Sequence, residues 1–321
     1  MKWLSDNVLK HLQQVSEMPG LPGARYRLGE VLGRGGMGVV YRAHDSELQR
    51  DVALKVLSIA DTDSERMQRE ARVLARIEHP GIVPIHDVGT LEDGRVFYTM
   101  KLVRGARLDA YCRQPHALPD LLRLFQRICE PVAFAHSQGV VHRDLKPANI
   151  MVGHFGEVLV MDWGVARVLS EPEQDGAVIG TRQYMSPEQA AGANADIDAR
   201  SDVYALGRIL ENLLGGRAPS PAVGPLADPL GSGHGRPPRS RGTALQSIAR
   251  KATATERDAR YPTALALAED IGRYLDGLPV SAHPESILDR IRRVLGNNKT
   301  LAALIIAYLT MRILLFWFAR T

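Results

Sequence analysis

The chain has 321 residues, 45% hydrophobic and 24% charged, with a formal net charge of +4. That length supplies ample core for one large domain or two modest ones, and the composition is that of an ordinary globular protein. The positive excess is spread without a basic stripe or an aromatic-interleaved patch, which argues against nucleic-acid binding, and Cys112 and Cys129 have no metal-ligand spacing, which fits a reducing compartment without a disulfide framework.

The opening stretch MKWLSDNVLKHLQQVSEM lacks the long apolar core and small-residue cleavage site of a secretory signal. Leu4, Val8, Leu12 and Val15 instead predict a short amphipathic helix within residues 1–24, closed by the breaker PGLPG. Strand-like runs follow: YRLGEVLGRGG, GVVYRAHD and DVALKVL. Residues 64–78, SERMQREARVLARIE, have Met67, Val73, Leu74 and Ile77 on one helical face. GIVPIHDVGTLEDGRVFYTMKLV reads as two strands around an Asp-Gly turn. From about residue 107 helical patterns dominate, so the expected fold is α+β, a small β-rich lobe followed by a larger helical one with a cleft between them. Residues 215–242 are crowded with Gly and Pro and predict an exposed loop. Helical patterning resumes at TALQSIARKA and YPTALALAEDIGRYL.

Several short stretches carry chemistry. GRGGMGVV places Gly33, Gly35 and Gly38 in the spacing G-x-G-x-x-G-x-V, where missing Cβ atoms let a turn close over phosphates. A dinucleotide-binding fold uses similar glycines but needs a helix directly after them, and here the strand VVYRAHD follows. VALK then puts Lys55 on the next strand. VVHRDLKPANIMV gathers His142, Arg143, Asp144, Lys146 and Asn149, and MDWG supplies Asp162. By itself Asp162 could be a turn former or a metal-holding carboxylate. The order of all these stretches is what separates the two readings.

Taken in that order, residues 26 to about 278 resemble the eukaryotic-like (Hanks-type) serine/threonine protein kinases of bacteria, in particular their membrane-anchored subgroup. The resemblance implies a bilobal protein kinase domain over 25–278, with an N-lobe of 25–103 and a C-lobe of 104–278. It implies ATP as phosphoryl donor, Mg2+ (or Mn2+) as metal, and proteins bearing Ser or Thr as substrates. Lys55 would hold the α- and β-phosphates, oriented by the carboxylate of Glu70. Asp144 would accept or orient the proton of the substrate hydroxyl, with Lys146 near the transferred phosphoryl. Asn149 and Asp162 would hold the metal. Gly33, Gly35 and Gly38 would cover the phosphates, and the adenine would lie against Leu32, Val40, Ala53 and Met151. Its hydrogen bonds would come from the backbone after Met100, at Lys101 to Val103. Thr181 would lie near Asp144, Glu188 would pair with Arg260, and Asp202 would tie a central helix to the catalytic loop. The stretch DLKPAN resembles the Ser/Thr branch and GTRQYMSPE a peptide-binding platform, which sets a metabolite kinase aside.

Three features depart from the family pattern. Trp163 stands where the family usually has Phe, in an apolar stack whose other members would be Leu74, Ile85 and His142. It brings an indole N–H that needs a partner. Between Asp162 and Thr181 the single hydroxyl is Ser170, within an acidic segment, so acidic residues would partly replace an ordering phosphate. The 215–242 loop occupies the place of a docking helix. Trp163 and the 215–242 loop motivate a rival reading, a nucleotide-binding scaffold without transfer, against which Lys55, Glu70, Asp144, Asn149 and Asp162 are all present.

At the end of the chain, residues 279–299 form a basic segment in which Ile287, Leu288, Ile291, Val294 and Leu295 share a face beside Arg290, Arg292, Arg293 and Lys299. Residues 300–319, TLAALIIAYLTMRILLFWFA, are long and apolar enough for a transmembrane helix, with Trp317 and Phe318 at its far end and Arg312 inside it. A helix packed on a protein partner is the alternative. The first reading predicts a single-pass protein of the cytoplasmic (inner) membrane with its kinase domain facing the cytoplasm. A homodimer is compatible with it.

Overall fold

A computed structural model of the chain describes residues 23, 25–35, 38–57, 77–163, 166–169, 180–215, 239–283, 308 and 310–312. The expected amphipathic segment of 1–24, the helix carrying Glu70 and Leu74, Ser170 with its acidic neighbours, and the 285–299 segment lie outside the described residues, as do most of the 215–242 loop and of the apolar run 300–319.

The front of the chain forms one antiparallel five-stranded sheet in the order β1-β2-β3-β5-β4. Its strands are β1 (Tyr26–Gly35), β2 (Gly38–Asp45), β3 (Arg50–Leu57), β4 (Ile85–Thr90) and β5 (Val96–Lys101). The period-two alternation of a strand divides β3 between two cores. Val52, Leu54 and Val56 pack with Tyr26, Tyr41, Ala43, Leu91 and Phe97 on the outer side. Ala53 and Leu57 pack with Val96, Tyr98 and Met100 on the side of the cleft. Lys55 lies between those two residues, so the alternation aims a charged side chain into the cleft from a strand buried on both faces.

The remainder is mostly helical. After β6 (Gly105–Arg107) come α1 (Leu108–Tyr111) and α2 (Leu118–Ser137), which buries Leu122, Phe125, Ile128, Cys129, Val132 and Ala135 along one stripe. The short strands β7 (Val140–Val141), β8 (Ile150–Gly153), β9 (Val158–Val160) and β10 (Arg167–Val168) frame the loops that carry the motifs. They form a three-stranded sheet, β6-β8-β9, and a two-stranded one, β10-β7. The helices α3 (Pro187–Ala190), α4 (Ala199–Gly215), α5 (Arg239–Ala252) and α6 (Ala264–Leu275) complete the lobe. α5 begins before the patterned stretch TALQSIARKA, inside the segment expected to be loop.

Two features fix how the parts meet. A parallel bridge joins Ile82 to Val160, with Val160 N donating to Gly81 O at 2.8 Å and Val83 N to Val160 O at 3.2 Å. At the far end, Asp270 on α6 is almost fully buried and accepts from Tyr261 Oη (2.7 Å), Ser281 N (2.7 Å), Ser281 Oγ (2.8 Å) and Ala282 N (3.1 Å). Val280 beside this carboxylate is part of the main core, so the packed structure continues past residue 278. Among the described residues, no helix is long and apolar enough to cross a membrane.

Candidate active site

The loop between β7 and β8 holds its shape through one carboxylate. Asp202, in the first turn of α4, is 1% exposed. Its Oδ2 accepts from His142 N (2.8 Å) and His136 Nε2 (2.8 Å), and its Oδ1 accepts from Arg143 N (2.9 Å). Burial alone would push this carboxyl up. The bond from His136 and the facing amides more than offset that and hold it below the usual carboxylate range. Arg143 takes a left-handed backbone, φ +70, which costs a residue with a Cβ on the order of 1 kcal/mol. The Asp202 bond to its N–H and the 2.8 Å bond from Gln189 Nε2 to its carbonyl hold that conformation from both sides.

Behind this anchor, Asp144, Lys146, Asn149 and Thr181 converge. Lys146 Nζ donates to Asp144 Oδ2 (2.6 Å) and to Thr181 Oγ1 (2.8 Å). Thr181 donates to Asp144 Oδ1 from both its N–H and its hydroxyl, each at 2.9 Å. Asn149 Nδ2 donates to Asp144 O (2.8 Å) and to Asp144 Oδ2 (3.2 Å). Asp144 therefore already accepts an O–H bond from a threonine, the contact a general base makes with the alcohol it deprotonates.

Across the cleft, Lys55 Nζ meets Asp162 Oδ1. Burial disfavours the ammonium of Lys55, but Tyr98 and Asp162 outweigh it and hold the amine above the usual lysine value. The carboxyl of Asp162 would also rise on burial, and Lys55 beside it keeps it below its usual value, hence ionised. Asp162 has φ +60, which turns its side chain back toward Lys55 at the end of β9. Trp163 is 2% exposed, lies 4.5 Å from His142 between ring centroids, and satisfies its indole N–H on Val160 O at 3.3 Å. Ile85, another expected stack member, packs partly buried against the same core. Leu74, like Glu70, lies outside the described residues.

Most of the residues expected to face the adenine gather in one apolar cluster. Ala53 and Met100 are buried in one cluster, with Val40, Val103 and Met151 packed against it. Leu32 stands at the open edge, 41% exposed. Lys101 N–H is taken by Pro84 O at 3.1 Å, so of its backbone groups the carbonyl is the one that can face a base. Gly38 has φ +140, and a Cβ there would lie 2.1 Å from Val56 O, so only glycine fits between β2 and β3. Gly33 and Gly35 lie on β1 opposite Val40 and Gly38.

A metal is expected here, and the donor set fits a hard cation. Asn149 uses its amide nitrogen twice on Asp144, which leaves Oδ1 as its ligating atom, and Asp162 offers an ionised carboxylate. Oxygen donors of this kind suit Mg2+ with water and phosphate completing its shell. Among the described residues no group of three or more His, Cys, Asp or Glu could by itself hold a metal ion.

Beyond Thr181, Ser186 starts α3 with a capping box in which Gln189 takes part. Glu188 makes a two-pronged pair with Arg260, Oε1 accepting from Nη1 at 2.7 Å and Oε2 from Nη2 at 2.8 Å. Three contacts had no signal in the sequence. They are Gln189 on the Arg143 carbonyl, His136 on Asp202, and Tyr98, which lies directly across from Lys55 in the β3–β5 register. The last follows only from the register, which no motif prints.

The protein kinase domain family matches residues 26–226 of this chain. Serine/threonine-protein kinase PknB of Mycolicibacterium smegmatis is 40% identical over 294 residues, 84% of this chain and 45% of that protein. PknB of Mycobacterium leprae is 37% identical over 299 residues, 85% of this chain and 46% of that protein. A probable serine/threonine-protein kinase of Streptomyces coelicolor is 38% identical over 288 residues, 83% and 42% respectively. The chain thus spans a little under half the length of these relatives.

Proposed function

The chain belongs to the protein kinase domain family, and from that premise we propose that it is a bacterial serine/threonine kinase that moves the γ-phosphoryl group of ATP onto Ser or Thr hydroxyls of proteins, itself included. The observation that carries this reading is the convergence of Asp144, Lys146 and Asn149 on one side of a cleft whose other side presents Lys55 paired with Asp162.

Phosphoryl transfer asks a protein chiefly to position reactants and neutralise charge. Asp144 Oδ1 takes the hydrogen bond, and then the proton, of the incoming hydroxyl. The oxygen forms its bond to the γ-phosphorus as the bond from phosphorus to the bridging oxygen of ADP breaks. Lys146, 2.6 Å from Asp144, neutralises both the base and the equatorial phosphoryl oxygens. Lys55 draws the nontransferred phosphates toward β3. Mg2+, held by Asn149 and Asp162, would offset the charge of the phosphate chain. Arg143 and Asp202 keep the loop rigid, so that these groups need no rearrangement during the step.

The apolar run 300–319, preceded by Arg290, Arg292, Arg293 and Lys299, supports anchoring in the cytoplasmic membrane with the kinase domain on the inner side. Carbonate-resistant sedimentation of the full chain with membranes is the expected result, and release into the supernatant would overturn the anchoring alone.

The kinase reading is tested with the full chain in detergent and radiolabelled Mg-ATP, beside Asp144→Asn. Transfer to the chain or to a generic Ser/Thr acceptor, lost in the variant, is expected. Nucleotide binding with no transfer, in detergent and in reconstituted membranes alike, would refute it in favour of a signalling scaffold.

A further inference from the structure

Among the described residues, Tyr98 is the aromatic side chain that lies against Lys55. It sits on β5 opposite Lys55 on β3, and residues directly opposite in an antiparallel pair project on the same side of the sheet. Both side chains therefore point into the cleft. Tyr98 is buried there beside Ala53, Met100 and Leu159, and the Lys55 ammonium stands 5.9 Å from the centre of its ring. That distance lies inside the range over which the negative face of an aromatic ring attracts a cation, and the attraction strengthens where water is excluded. Lys55 is 5% exposed, so its charge has lost most of its hydration and depends on the groups around it.

The ammonium also meets Asp162. The two contacts together restrain a flexible four-carbon side chain, one through a carboxylate and the other through a tyrosine fixed in a strand, whose ring and hydroxyl both act on the ammonium. An Asp162 that also ligates a metal divides its charge between two cations. The ring does not compete for the metal, so its hold on the lysine persists when metal and nucleotide arrive.

We propose that Tyr98 is a positioning residue for nucleotide phosphate binding, a second holder that keeps the Lys55 ammonium aimed at the phosphates of ATP. The inference rests on the kinase reading for the identity of the ligand and for nothing else. A leucine at this position would keep the apolar packing of the cluster and remove the ring, and a phenylalanine would keep the ring and remove the hydroxyl.

The test is nucleotide binding by the full chain in detergent, measured by calorimetry for Mg-ATP and separately for adenosine, which occupies the apolar part of the cleft without needing Lys55. Tyr98→Leu is expected to weaken Mg-ATP binding about three- to tenfold, the size of a partly desolvated cation–ring contact, and to leave adenosine binding unchanged. Tyr98→Phe, which keeps the ring but not the hydroxyl that also acts on Lys55, is expected to recover part of the loss. In turnover assays the same change appears as a raised KM for ATP with a smaller effect on kcat. Equal loss of adenosine and ATP in Tyr98→Leu would make Tyr98 a packing residue only, and undiminished ATP binding would remove the positioning role. A wild-type chain that binds both ligands but transfers no phosphate would refute the proposed activity and leave these binding comparisons intact.

Discussion

Replacing Glu188 by Gln leaves Arg260 as a buried cation without its counter-charge. Both partners are sequestered, with Arg260 0% and Glu188 8% exposed at their side chains. Removing one member of such a pair costs about 3–5 kcal/mol, mostly the desolvation of the charge left behind. Arg260 retains carbonyl partners in Ala254 (2.8 Å), Thr255 (3.0 Å) and Arg200 (3.1 Å), which moves the expectation to the lower end, about 3 kcal/mol. The ionisation of Glu188 gives a second estimate. Burial pushes its carboxyl up, but the bonds from Arg260 and Ser201 overcome that and hold it down at about 2, from an ordinary value of 4.5. At 1.36 kcal/mol per pKa unit this again corresponds to about 3 kcal/mol. The sign follows from a folded-state value below the unfolded one. The stabilisation is fully present above pH 4.5 and is lost as pH falls from there toward about 2. Urea unfolding of wild type and Glu188→Gln at pH 7 should therefore differ by about 3 kcal/mol, and by about half that or less at pH 3. A difference below 1 kcal/mol at pH 7, or one that does not shrink with acid, would refute the reasoning. Because Glu188 and Arg260 hold the segment that begins at Thr181, the variant's phosphotransfer should also fall at pH 7.

Asp202→Asn removes an acceptor shared by three donors, leaves an amide N–H of the catalytic loop facing another N–H, and should cost about 2–4 kcal/mol; kcat should fall at least tenfold in steady-state assays while KM for ATP moves little. Trp163→Phe should keep phosphotransfer within about threefold and lower stability by about 1–2 kcal/mol, because it loses the bond to Val160 O and leaves part of the indole volume unfilled; a silent enzyme would show that the indole itself is required. Gly38→Ala forces a Cβ against Val56 O at a backbone angle only glycine tolerates, so Mg-ATP affinity and thermal unfolding temperature should both drop; an unchanged KM would argue that β1 and β2 do not cover the nucleotide.

The gathering of the cleft's residues was largely legible in the sequence because they come in short stretches. His142 to Asn149 span one loop, so their mutual approach in the structure needs little from the rest of the chain. The two-lobe arrangement was legible for a related reason, since strand and helix periodicities change over near residue 107. Contacts set by tertiary register were not. Tyr98 reaches Lys55 only because β3 pairs with β5 and not with β4, a choice no local pattern dictates. The partner of the Trp163 indole was equally hidden, and it proves to be a carbonyl three residues earlier, supplied by the tight turn after β9. The engagement of Lys101 N–H with Pro84 also depends on a residue outside the strand, and it takes one backbone donor out of the stretch Lys101 to Val103.

The carboxylate of Asp270 has a mechanical consequence. Four donors seize it, three of them from Ser281 and Ala282, at the point where the chain leaves α6 for its C-terminal stretch. α6 lies against α2, joined there by a 3.1 Å bond from Gln126 Nε2 to Ala268 O. A pull on residues beyond 283 is therefore received by a clasp on the stiff helical side of the molecule, and α2 and α6 share it as a strut and its brace. α2 also carries His136, whose bond to Asp202 shapes the catalytic loop, so a load on the tail meets this clasp before it can reach the site.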